Sequence, residues 1–400
     1  MIPARLLEVA RSAGWIAAIQ AVNFLAPLAA VPFVLRGVGV EGFSRYAVLM
    51  ALAAVFAIFA DFSFNVTGPI RARAAAADGR LAALLVDSLV LKAGLMLPAS
   101  VIFLAVAGRG AEAWLALAYA GALTLTPRWL VYSLGRLRAF ALLAGASRLA
   151  WLGVVVAGAS ADLGWLLGAT AAAQAVTMTG SFVLVRWAGP LRFSLRRPAR
   201  ILAEDAGQFG AILAAAGGRE LSLLILAAFA AAAEVAGFAL ADRVRVLMVG
   251  LVAPVTQALY LAIVGGRAPE VRGPASLLVL AAAACGGGLV FALAGPIVAW
   301  LGGGELPGAV PVLRVLCLLP FLTGLSAVLG ANTLLAEGRG DAYAASQIGV
   351  ALLGAPLAVL AIAEGGAIGA AWAAVAMEAA LALGFALALR RSGLMARVLR

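Results

Sequence analysis

Histidine is absent from the 400 residues, cysteine occurs twice, and charged side chains make up only 12% of the chain. Each shortage excludes something. Without histidine the commonest general base is missing, and neither catalytic carboxylates nor a sizeable outer loop stands in for it, which argues against a membrane glycosyltransferase or polysaccharide polymerase and against an enzyme in general. Cys285 and Cys317 each lie inside an apolar run, where a thiol behaves as a small hydrophobe, so no disulfide framework and no metal-ligand spacing is present. No metal and no cofactor is expected. An ordinary soluble domain carries roughly 25% charged residues; with half that share and 65% hydrophobic residues, this chain has more apolar surface than a soluble fold can hide.

What is present is a succession of long apolar runs bounded by Gly, Pro and Arg. A bilayer core about 30 Å thick needs about 20 apolar residues per helix. On that measure the runs predict helices near 14–35, 46–66, 81–107, 113–132, 139–159, 164–187, 206–229, 235–263, 274–301, 310–336, 342–363 and 366–389. The expected fold class is therefore an all-α integral membrane protein of about twelve transmembrane helices. The N-terminal MIPARLLEVARSAG runs directly into the first apolar helix with no small-residue cleavage site after a short core, so the first span is expected to be retained.

The arginines give those spans a direction. Under the positive-inside rule, one side holds Arg5, Arg11, Arg71, Arg73, Arg80, Arg136, Arg138, Arg186, Arg192, Arg196, Arg197, Arg200, Arg267, Arg272, Arg339, Arg390, Arg391, Arg397 and Arg400, and the other only Arg36, Arg45 and Arg109. Both termini are expected to be cytoplasmic. The formal charge of +11 is thus a matter of topology, since it is scattered over short loops rather than gathered on a nucleic-acid-binding face. The longest basic connection falls at the midpoint of the helix count, which predicts an N-terminal six-helix lobe over 1–187, a cytoplasmic linker over 188–205 and a C-terminal six-helix lobe over 206–400. The outer turns VGVEGFSRYAVL and AEVAGFALADRV place Gly42-Phe43 against Gly237-Phe238 at an offset of 195 residues. A repeat of six helices keeps both lobes in one orientation, related by a pseudo-twofold along the membrane normal with a central cavity between them.

Seven basic residues remain inside the predicted helices: Lys92, Arg128, Arg148, Arg219, Arg243, Arg245 and Arg314. A basic side chain near the bilayer centre costs at least about 2.5–3.5 kcal/mol, so it faces a cavity or a partner rather than lipid. Lys92, Arg148 and Arg219 sit nearest mid-helix, Arg128 nearer the cytoplasmic end, and Arg243, Arg245 and Arg314 nearer the outer end. Asp61, Asp87, Glu220 and Asp242 are the acidic residues at comparable depth. The interior therefore carries a cationic surplus whose natural complement is an anionic ligand. A structural reading stands beside this one: Arg219-Glu220 and Asp242-Arg243 as local ion pairs, and end-proximal arginines snorkelling to the interface. Asp61 or Glu220 is also a candidate for coupling to a cation. Pro27 and Pro32 in the first helix free backbone carbonyls and read either as a gating bend or as a static kink; Asn23, one turn earlier, serves a cavity or the opened backbone. Gly365 and Gly369, and Cys285 to Gly288, are assigned to packing.

The N-terminal quarter, GWIAAIQAVNFLAPLAAVPFVLRGVGVEGFSRYAVL followed by ADFSFNVTGPIRARAA, resembles the bacterial polysaccharide transport proteins, the O-antigen type oligosaccharide flippases. TPRWLVYSLGRLRAFA, from Thr126 to Ala141, is similar to the Pro-x-Trp segment those proteins carry at the end of helix four, and Ala236 to Tyr260 resembles their helix eight. The positions after Trp129 depart from the family pattern, reading Val131-Tyr132-Ser133-Leu134-Gly135. The family lies within the multidrug, oligosaccharidyl-lipid and polysaccharide exporter superfamily, whose members have two six-helix lobes around a central cavity. The resemblance implies transport of an oligosaccharide on a polyprenyl pyrophosphate across the bacterial cytoplasmic membrane by alternating access, with membrane lipids and other polysaccharide assembly proteins as partners. Lys92, Arg148 and Arg219 are then expected to contact the pyrophosphate or acidic sugars, with Arg128, Arg243 and Arg245 in the same basic lining. Two rivals stand: a multidrug or metabolite exporter of the same superfamily, which would favour acidic cavity groups, and a scaffold, which leaves the buried charges unexplained.

Overall fold

The computed structural model describes residues 4–158, 162–185, 196–264 and 272–395. Among the described residues all regular structure is helical: α1 (Ala4–Asp61), α2 (Phe64–Ala77), α3 (Leu81–Ala107), α4 (Ala111–Leu125), α5 (Arg128–Ser133), α6 (Leu137–Ala157), α7 (Leu163–Val185), α8 (Arg196–Phe229), α9 (Ala232–Val264), α10 (Arg272–Ala292), α11 (Ala294–Gly302), α12 (Ala309–Leu316), α13 (Leu319–Ser326), a π-helix (Ala327–Leu335) and α14 (Gly340–Arg391). Helix is the one open-ended structure that satisfies every backbone group in lipid. Seven stretches, from Val22–Ala77 to Gly340–Arg391, are long and apolar enough to cross a membrane by length and composition. Large apolar side chains left exposed, among them Leu97, Trp300 and Leu353 at 70–74%, fit a hydrocarbon surround.

Each of the twelve expected spans is found, as one rod or as a run of pieces. Two expected outer loops vanish into bends. α1 carries its helix through Pro27 and Pro32 and departs from helical geometry at Gly39 (φ 68°), and α14 does so at Gly366 (φ 53°). Glycine is the residue that takes a positive φ without a Cβ penalty. Among the described residues four spans are broken inside the membrane-length segment: between α1 and α2 at Phe62 and Ser63, between α4 and α5 at Thr126 and Pro127, between α10 and α11 at Leu293, and between α12 and α13 at Cys317 and Leu318. α2 then runs on to Ala77, so Arg71 and Arg73 sit on a helix rather than in a loop.

The chain forms two compact units: Arg36–Val38 with Arg45–Ala216, and Met1–Leu35 with Gly39–Ser44 and Gly217–Arg400. Most of the expected linker, and with it Arg186 and Arg192, lies outside the described residues. In the first unit Trp129, 1% exposed, tilts against Phe64 with ring centroids 5.5 Å apart, in a core with Leu85, Leu130 and Ile201. In the second, Tyr343 stacks on Phe385 at 5.1 Å, over Val328, Leu334 and Leu389. In each core an aromatic ring packs against a glycine where a Cβ would collide with it, Trp129 at Gly68 and Phe385 at Gly330.

Candidate functional site

The polar interior of the first unit is built where two helices break. At the end of α4, Pro127 supplies no N–H, and the N–H of Arg128 turns to the Thr126 carbonyl instead of reaching back four residues. The Thr124 carbonyl thereby loses its helical partner. At the end of α1, Phe62 and Ser63 take left-handed φ values of 44° and 66°, a conformation that costs a non-glycine residue about 1–3 kcal/mol and persists only where its surroundings enforce it. What enforces it is visible: Asp61 reaches past the break and its Oδ2 accepts the backbone N–H of Asn65 (3.1 Å) and the Asn65 amide (2.7 Å). A carboxylate at the start of α2 is also favoured by the helix dipole.

Lys92 of α3 joins the two breaks. Its Nζ donates to Asp61 Oδ1 at 2.6 Å and to the orphaned Thr124 carbonyl at 2.9 Å, and lies 5.8 Å from the centre of the Phe64 ring. It is 1% exposed and is the only lysine in the chain; the other 28 basic residues are arginine. Two residues singled out from sequence for different roles, Lys92 as an anion contact and Asp61 as a coupling group, are thus each other's counter-ion.

Arg128 and Arg148 complete the interior. Arg128, at the start of α5, lies within electrostatic reach of Lys92, and its Nε is buried without a hydrogen-bond partner among the described residues. Arg148 of α6 lies within electrostatic reach of the Tyr119 hydroxyl of α4, as do Arg128 and Tyr46, and its guanidinium stands 5.7 Å from the Trp151 ring. Among the described residues no carboxylate lies within 4.0 Å of either arginine. Neutral hydrogen bonds fill the rest: Trp151 Nε1 to Thr170 Oγ1 (3.0 Å), Tyr46 with the same hydroxyl (3.5 Å), and Gln174 Nε2 to Thr126 Oγ1 (3.2 Å).

The remaining sequence candidates fall elsewhere. Asp242 pairs with Arg245 at 2.6 Å, three residues on, and Arg243 instead lies over the Phe43 ring at 4.9 Å. The expected neighbour pair Asp242-Arg243 is replaced because i and i+3 share a helix face while i and i+1 do not. Arg314 of α12 stands over Phe291 at 5.5 Å. The side chains of Arg219 and Glu220 lie outside the described residues. Asn23, Pro27 and Pro32 are half-buried on an unbroken stretch of α1. Asp87 is 4% exposed with Oδ1 unpartnered among the described residues.

A second polar cluster was not anticipated. Ser63, Thr67 and Arg71, spaced four apart on one face of α2, all donate to the carboxylate of Asp205 on α8, at 3.5 Å, 2.9 Å and 2.7 Å. Arg71 also bonds Glu204, which in turn accepts from Arg200. The spacing S-x-x-x-T-x-x-x-R is the signal that could have found it, since i and i+4 positions stack along a helix.

Similarity to known proteins agrees with this architecture. Residues 9–263 match the family model described as polysaccharide biosynthesis protein. No curated protein matches the chain significantly. Among solved structures, the chain is similar to the lipid II flippase MurJ in an inward closed conformation (TM-score 0.72, 14% identity, covering 94% of this chain and 86% of that one). It is also similar to an inward-facing multidrug resistance MATE family transporter of the MOP superfamily (TM-score 0.63, 18% identity, 94% and 95% covered). A MOP superfamily transporter from Pyrococcus furiosus, described by the reverse polarity of its binding pocket, matches at a TM-score of 0.59 and 18% identity over 97% and 96%. The fold is that of the MOP superfamily transporters, and with the family model covering more than half its length, the chain belongs to the polysaccharide biosynthesis protein family.

Proposed function

We propose that the protein flips an oligosaccharide carried on a polyprenyl pyrophosphate from the cytoplasmic to the outer leaflet of the bacterial cytoplasmic membrane, by alternating access, for surface polysaccharide synthesis. Family membership and the likeness to a lipid II flippase support the class of cargo. The observation that carries the reading is the pair Arg128 and Arg148, two buried or half-buried guanidinium groups in a helical interior with no carboxylate in reach among the described residues. An anion is what such groups lack: a pyrophosphate offers charge and paired acceptors that match a guanidinium fork. Lys92 is committed to Asp61, so the anion contacts we assign are these two arginines, and residues 1–187 and 206–400 are the two lobes proposed to alternate, both termini remaining cytoplasmic.

The test is complementation. In a strain lacking its native flippase, the wild-type gene restores surface polysaccharide, while Arg128→Ala and Arg148→Ala each lower export on the order of tenfold, the worth of a charge-assisted hydrogen bond. Undiminished export by both variants, present in the membrane at wild-type level, overturns the assignment. Resistance to cationic drugs without polysaccharide export would favour the multidrug exporter instead.

A further inference from the structure

The short helix α5 has two unlike sides. Trp129, Leu130 and Val131 are 0–2% exposed and lie in the core of the first unit, whereas Arg128 and Tyr132, four residues apart, share the strip that is left. Tyr132 is 45% exposed. A guanidinium within a span does not face hydrocarbon, so the strip that carries Arg128 faces water or a ligand rather than lipid tails. By contrast Phe64 and Trp151, the rings that Lys92 and Arg148 lie against, are 0% and 3% exposed.

The exposed ring is held in place from two sides. Phe140 of α6, 4% exposed, meets it at 84° with ring centroids 5.5 Å apart, and Arg128 lies within electrostatic reach of its hydroxyl. An edge-to-face pair covers at most one face of a ring. A broad apolar surface therefore stays open beside an anion contact, with the phenol oxygen at its rim. Arg128 and Tyr132 leave their helix about 6 Å apart along its axis, which suits a phosphate and the hexose joined directly to it.

We propose that Tyr132 is the platform for the first sugar of the cargo: with the pyrophosphate on Arg128, the adjoining pyranose lays its C–H face on the ring and keeps its hydroxyls in water. A pyranose has an apolar face and polar edges, as tyrosine has an apolar body and a polar tip, so the pairing hides apolar surface of both without stripping water from the hydroxyls. The inference rests on the lipid-linked pyrophosphate reading above and names the sugar contact of that same site. Stacking on a ring face reads no particular pattern of hydroxyls. The contact therefore selects for a sugar on the pyrophosphate rather than for one sugar among others. A tyrosine at the end of a span also serves as an interfacial anchor, and the two tasks part on whether the ring matters to a cargo that carries no sugar.

The experiment uses the purified full chain in detergent and two probes of equal charge, a polyprenyl diphosphate esterified by a disaccharide and the same polyprenyl diphosphate esterified by a methyl group. Dissociation constants are read by microscale thermophoresis. Wild type binds the sugar probe about three- to tenfold more tightly than the methyl ester, the size of one good aromatic contact. Tyr132→Phe keeps that preference. Tyr132→Leu and Tyr132→Ala lose it while binding the methyl ester as wild type does, which shows the fold and the anion contact intact, and Arg128→Ala weakens both probes alike. A preference that survives in Tyr132→Leu and Tyr132→Ala, or a wild type without one, overturns the platform while leaving the pyrophosphate assignment standing. Equal weakening of both probes in Tyr132→Leu and Tyr132→Ala makes the ring a support for Arg128 and overturns the platform as well. Failure of the wild type to bind either probe overturns the cargo assignment and this inference with it.

Discussion

Single side chains here are read by what their removal leaves behind. Lys92 and Asp61 are 1% and 13% exposed, and a buried charge stripped of its partner costs about 3–5 kcal/mol, while removing both charges together is often close to neutral. Lys92→Met alone should therefore lower the thermal midpoint in detergent sharply, and the double variant with Asp61→Asn should recover most of the loss; equal losses in both would mean that the ammonium serves mainly to hold the Thr124 carbonyl. The same logic of neighbours applies to Gly68. A Cβ placed there would meet the Trp129 ring at 2.8 Å, and Trp129 is 1% exposed with Phe64 on its side, so it has no room to yield. Gly68→Ala is expected to cost about 1–3 kcal/mol by overpacking, read as a lower unfolding midpoint, whereas Gly94→Ala, where the added methyl meets nothing within 4 Å, leaves it unchanged or higher. Lys92, Arg128 and Arg148 were legible in the sequence as residues out of place in an apolar run. That Lys92 faces Asp61 was not, because the two are 31 positions apart on different helices, and one-dimensional spacing cannot show what tertiary packing brings together.

At the scale of the element, the breaks matter more than the rods. The apolar runs marked all twelve spans and none of the breaks within them, Pro127 included, which lies inside the helix expected over 113–132. Phe62 and Ser63 carry no turn signature, and their left-handed backbone is imposed by Asp61 and Asn65 rather than chosen by propensity. Gly39 lies in an expected loop and Gly366 at the start of an expected helix; each is the kink at which two helices meet, taken at positive φ without a linker. The junction of α2 with α8 offers the sharpest element-scale prediction. Asp205, 8% exposed, gathers three donors, from Ser63 at the N-cap of α2 and from Thr67 and Arg71 within it, so Asp205→Ala leaves Arg71 only Glu204 and Thr67 only Ser63 and should cost about 3 kcal/mol. Glu204, with its side chain 42% exposed, bonds the same Arg71, yet an exposed, solvent-screened pair contributes little. Thermal denaturation of Asp205→Ala against Glu204→Ala checks the contrast; comparable losses would mean that the two carboxylates share the junction equally.

For the whole molecule, orientation is the property on which the transport direction depends, and the arginine pattern alone supplies it. Alternation of basic loops works only if every span is counted correctly, so a single missed helix would invert everything after it. Among the described residues there are twelve helical passes once the kinks at Gly39 and Gly366 are each taken as a reversal, which places Arg109 and Arg138 at opposite ends of a pass, since α4 and α5 together make one pass between them. Cysteine scanning turns this into a measurement. With Cys285 and Cys317 both replaced, Arg109→Cys should react in intact cells with a membrane-impermeant thiol reagent, and Arg138→Cys should react after permeabilisation alone. The reverse pattern would turn the protein over, putting the arginines of α2 and those at the starts of α6 and α8 outside. The site at the two helix breaks would then have to receive its anion from the opposite leaflet, and the protein would work as an importer of lipid-linked anions rather than an exporter.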